Sequence, residues 1–83
     1  MCTREQLAQA TPSELAELAE AAVGALARSA DPAAFAHLLA LTRITGESLG
    51  TAARTLADRS SWSGVADVAG TTRQAAWERW RAR

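Results

Sequence analysis

Alanine supplies 21 of the 40 apolar side chains in this sequence of 83 residues, and that imbalance narrows the fold more than any motif does. Alanine loses no side-chain entropy in a helix and fills little space in a core. Residues that favour strands are scarce beside it: three Val, one Ile, one Phe and no Tyr. A sheet is excluded, and this length supports one domain with a modest core. The expected class is all-α.

Other classes fall on similar grounds. No apolar run approaches the roughly 18 residues that cross a bilayer, and no basic-then-apolar leader opens the chain. The one cysteine, Cys2, cannot form an internal disulfide and reads as an incidental free thiol, and Cys2 with the one histidine, His37, is no zinc set. His37 reads as a surface or helix-contact residue. No pair of acids, Cys–His couple or phosphate-cradling Gly loop has usable spacing, so neither an enzyme nor a cofactor is expected. A cytoplasmic, nucleoid-associated protein is the expectation.

Net charge is zero, but unevenly spread. Residues 1–50 carry three Arg and six acids, and residues 51–83 carry six Arg and three acids, giving −3 and +3. There is no Lys. This division points to an acidic scaffold with a basic working end.

Residues 1–10 offer little apolar surface and predict fraying or a brief helical turn. The first firm signal is Thr11-Pro12-Ser13-Glu14: Thr11 suits an N-cap, Pro12 the first helical position, and Glu14 the reciprocal place in a capping box. Leu15, Leu18, Ala19, Ala22, Val23 and Leu26 then recur at helical steps, with Glu14, Glu17, Glu20 and Arg28 off the stripe. An amphipathic helix over 12–29 follows. Asp31-Pro32 repeats the start signal, and so short a link predicts that the next helix, 32–58, folds back antiparallel.

That second helix carries two apolar stripes. Phe35, Leu39, Thr42, Leu49, Ala53 and Leu56 form one; Leu38, Leu41 and Thr45, with Ile44 nearby, form the other. Two stripes predict contact from both sides, by this chain or by a second subunit. Residues 12–58 are accordingly expected to be a helical platform that pairs with a second copy. Gly46 and Gly50, one turn apart, permit a close helix approach or a kink, or else mark a helix end.

Beyond Arg59 the pattern changes. Ser60 or Ser61 can cap a short helix containing Val65, Ala66, Val68 and Ala69, which Gly70 ends. Thr71 or Thr72 starts the last helix, 72–82, with Thr71 and Gln74 able to form a second capping box. Two short helices joined at a glycine, the second basic, form over 61–83 the arrangement that places a recognition helix in the major groove. Ala66, four residues before Gly70, lets the helices approach; Val65 anchors the first, and Ala76 packs the second back.

Ser61-Trp62-Ser63-Gly64-Val65-Ala66 and Gly70-Thr71-Thr72-Arg73-Gln74-Ala75-Ala76-Trp77-Glu78-Arg79 resemble short helix-turn-helix DNA-binding proteins of actinobacteria. The resemblance covers about 20 residues. It implies a DNA-binding transcriptional regulator, with Thr72, Arg73, Gln74 and Trp77 at the groove-facing positions. Two residues depart from the pattern: Thr71 where an aliphatic residue plugs the turn, and Gly64 in place of a larger polar residue. Both departures predict a loosened motif steadied by the long helix before it.

The chemistry of these side chains points the same way. Arg73 can bind guanine O6 and N7 through two bonds and Gln74 can pair with adenine, each discriminating by about 1–3 kcal/mol. Thr72 can bond a phosphate or touch a thymine methyl. Ser61, Ser63, Thr71, Arg79, Arg81 and Arg83 are candidates for phosphate contacts, which set register and make affinity depend on salt. Trp62 and Trp80 read as core plugs, whereas Trp77 can join the core or lie against DNA. The expected partners are double-stranded DNA and a second copy of the chain, the latter giving a palindromic site with half-sites about 34–36 Å apart. The competing reading is a helical adaptor or small regulator that binds a partner protein and leaves DNA alone.

Overall fold

A computed structural model describes residues 3–82. Cys2 and Arg83 lie outside the described residues, and so do the readings placed on them. Among those described there are five helices and no strand: α1 Arg4–Gln9, α2 Pro12–Arg28, α3 Pro32–Arg59, α4 Trp62–Ala69 and α5 Arg73–Trp80. Among the described residues no helix is long and apolar enough to cross a membrane. By internal contacts the chain divides into Met1–Ala40 and Leu41–Arg83, with α3 running through the boundary.

Helix starts in the first unit are written in short side chains. Thr11 Oγ1 accepts from the Glu14 N–H at 3.2 Å, while Glu14 Oε1 accepts from the Thr11 N–H at 3.0 Å, the expected reciprocal box ahead of Pro12. The backbone and side-chain hydrogen bonds from Thr11 lower the Glu14 pKa from its ordinary value. Thr3 and Gln6 make the same box at 3.1 and 2.7 Å, which gives the opening residues a six-residue helix. Asp31 opens α3, its Oδ1 accepting from the Ala33 N–H at 2.9 Å.

Packing in this unit departs from expectation. α2 buries none of its residues, and Leu15, Leu18 and Val23 stay 38–42% exposed. Phe35 and Leu39 on α3 are more open still, and Ala34 is the one buried hydrophobic residue described here. Within Met1–Ala40 the described apolar residues thus form little core of their own. A short link makes two helix ends neighbours, but whether their stripes meet depends on each helix's rotation about its own axis.

α3 continues through Gly46 and Gly50, so these glycines do not mark a helix end. An i,i+4 ion pair, Arg43 to Glu47 at 2.8 Å, spans Gly46; both side chains are about two-thirds exposed, so it contributes only about 0.3–0.5 kcal/mol. A Cβ at Gly46 would meet nothing within 4 Å, whereas one at Gly50 would lie 3.1 Å from Arg54 Nη1. At Gly50 the close neighbour is thus a side chain of the same helix.

The second unit has a small core of its own. Ala53 of α3, Val65 and Ala66 of α4 and Ala76 of α5 are buried together, with Ala57, Trp62 and Trp80 packed around them. Both tryptophans thus act as the expected plugs. Three alanines and a valine at the centre allow close approach but bury little area, and Leu49, Leu56 and Val68 remain exposed beside an apolar cleft of about 310 Å³.

Candidate nucleic-acid interface

Ser61 begins the candidate surface with an extended backbone, and its Oγ accepts from the Gly64 N–H at 3.0 Å. The cap starts α4 at Trp62. Gly64 has a local reason: a Cβ there would lie 2.9 Å from Ser60 Oγ. The serine hydroxyl would have to rotate away to admit a larger residue. Ser63, on the first turn, is exposed.

Gly70 turns the chain. Its φ of 69° and ψ of 37° are left-handed, the one positive φ among the described residues. The following N–H, of Thr71, donates to the Ala66 carbonyl at 3.0 Å, the wide bond that closes a helix ending in this conformation. Thr71 itself is exposed and plugs nothing. α4 and α5 pack on each other beyond the turn, and Val65, Ala66 and Ala76 all lie within the core, Ala76 completely.

The cap of α5 falls on Thr72, whose Oγ1 accepts from the Ala75 N–H at 3.1 Å. The capping box expected between Thr71 and Gln74 is therefore not formed. Gln74 Nε2 instead donates to Glu78 Oε1 at 3.0 Å. Thr72 thereby has a structural duty, although its hydroxyl can also donate outward. α5 spans eight residues of the expected 72–82.

Helical spacing distributes the side chains of α5 around its axis. Ala76 and Trp80 turn to the core, and Trp77 and Arg81 lie further round the helix. Gln74 lies roughly opposite Ala76, and Arg73, three residues before Ala76, flanks the core side at the exposed first turn. Trp77 is 40% exposed, and the Arg81 guanidinium lies over its ring at 4.6 Å from the centroid. This answers the ambiguity about Trp77: it belongs to the surface. Arg79 lies over the Trp80 ring at 5.1 Å. Arg73 and Gln74 are exposed in the first turn, where a cation opposes the helix dipole. Helix stability thus gives no reason for Arg73.

One contributor carries no local signal in the sequence. Arg54 Nη1, from α3, donates to the carbonyls of Trp80 and Ala82, each at 3.0 Å. These carbonyls lie at the end of α5, where helix acceptors lack partners. Arg54 thus ties the basic helix to α3, and the missing side chain at Gly50 leaves room for its guanidinium. Among the described residues, no three His, Cys, Asp or Glu side chains gather as a metal site. No protein-family model matches this chain, and no curated protein or solved structure matches it either.

Proposed function

We propose that the chain is a sequence-specific DNA-binding transcriptional regulator, with α4, the Gly70 turn and α5 acting as a helix-turn-helix and α5 entering the major groove. The observation that carries this reading is the outward face of α5. Arg73 and Gln74 stand exposed in its first turn, Gln74 roughly opposite the wholly buried Ala76 and Arg73 beside the core face. The first turn of a recognition helix is the part that reaches base edges. Arg73 then reads guanine, and Gln74, on leaving Glu78, reads adenine.

Around these readers, Thr72 and Trp77 border the groove. Ser61, Ser63, Thr71, Arg79, Arg81 and Arg83 supply the backbone contacts. The test is selection of bound fragments from random duplex DNA, followed by titration of the selected site at several salt concentrations. A single enriched motif, with affinity falling linearly in log salt, is expected. Equal recovery of all sequences would contradict the reading.

A second reading, a helical adaptor for a partner protein, draws support from the open apolar faces of α2 and α3. It predicts no enrichment of any duplex and no salt-dependent DNA binding.

A further inference from the structure

The apolar stripe of α2 reads the same in both directions. Its members, Leu15, Leu18, Ala19, Ala22, Val23 and Leu26, are spaced by three, one, three, one and three residues, with large side chains at both ends and alanines in the middle. Laid antiparallel on an identical helix, Leu15 faces Leu26, Leu18 faces Val23, and Ala19 faces Ala22. A two-fold interface requires this property, since residue i must meet j wherever j meets i. The central alanines also let the two axes come close where the helices cross.

Burial supplies the second observation. α2 has no buried residue, and Leu15, Leu18 and Val23 are all more than a third exposed. Most helices in proteins owe their stability to a packed apolar face rather than to propensity. Whatever covers this stripe must be present whenever the helix is, and a second copy always is.

We infer that α2 pairs antiparallel with α2 of a second copy, crossing at Ala19 and Ala22, to form a homodimer. Glu14, Glu17 and Glu20 lie off the stripe and stay outside the interface. The inference is independent of what α5 binds.

Sedimentation equilibrium of the intact chain at micromolar concentration tests it first. Twice the chain mass of 8.7 kDa is expected, with a melting midpoint that rises with protein concentration. A helical monomer with a concentration-independent midpoint would overturn the inference, leaving the stripe to another protein or to the rest of this chain. The pairing is tested by mixing Leu18→Cys with Val23→Cys chains, both carrying Cys2→Ser. Mixed disulfides are expected under mild oxidation. Two Leu18→Cys chains should not link, because the antiparallel register offsets those positions by about 7–8 Å along the axis, and the separation of the axes carries them beyond disulfide reach. Linking of Leu18→Cys to itself, or no mixed product from a dimeric sample, would overturn the register.

Discussion

Gly70 shows how much one backbone angle governs here. A Cβ at this position would meet nothing within 4 Å, so the cost of any replacement is torsional. Gly70→Ala should destabilise the α4–α5 unit by about 1–2 kcal/mol, and Gly70→Asn by less, because Asn tolerates the left-handed region better. Thermal melts followed by circular dichroism would read the order Gly, Asn, Ala; equal midpoints would remove the turn from the account. Glu14 gives a second prediction at this scale. Its folded pKa is lowered, so its contribution to stability is complete above the ordinary carboxylate pKa and is lost as pH falls through the folded value. In an NMR titration its carboxyl should have a midpoint below the ordinary glutamate value, and Thr11→Ala should move it back up.

Elements were legible where a short local code sets them. Thr11-Pro12-Ser13-Glu14 fixed the start of α2, and Gly70 fixed the end of α4. Thr3 and Gln6 carry a similar signal for α1, obscured by the lack of apolar residues around them. Neighbouring threonines defeated the start of α5: Thr71 and Thr72 can both cap, and only the backbone decides for Thr72. The burial of Ala76 was readable from its distance to the glycine, whereas the Arg54 contact was not, because 26 residues separate it from Trp80. Arg54→Ala should fray the end of α5 and lower stability by about 1 kcal/mol, since hydrogen bonds from a charged donor exceed neutral ones but this one is only half-buried. Faster amide exchange confined to α5 would support the tie; unchanged exchange would argue against it.

At the scale of the whole molecule, alanine richness correctly indicated helices but could not say what covers them. Periodicity tells which side of a helix is apolar, not which surface meets it, and so the stripe of α2 is legible in the sequence while its cover is not. What the chain buries by itself is small residues, while Leu15, Leu18, Val23, Phe35 and Leu39 stay open. If two copies pair through α2 and each presents an α5, the preferred DNA should be a palindrome with half-sites about 34–36 Å apart or a multiple of that spacing. An enriched motif without two-fold symmetry would separate DNA reading from pairing.

The claim that α5 reads sequence is tested most directly by comparing wild type and Arg73→Ala on a selected duplex and on a scrambled one at fixed salt. The account predicts that the preference between the two duplexes falls by about 1–3 kcal/mol, roughly five- to 150-fold, while binding to the scrambled duplex changes little. An unchanged preference would remove Arg73 as a base reader, and no binding of wild type to either duplex would contradict the claim that α5 reads DNA.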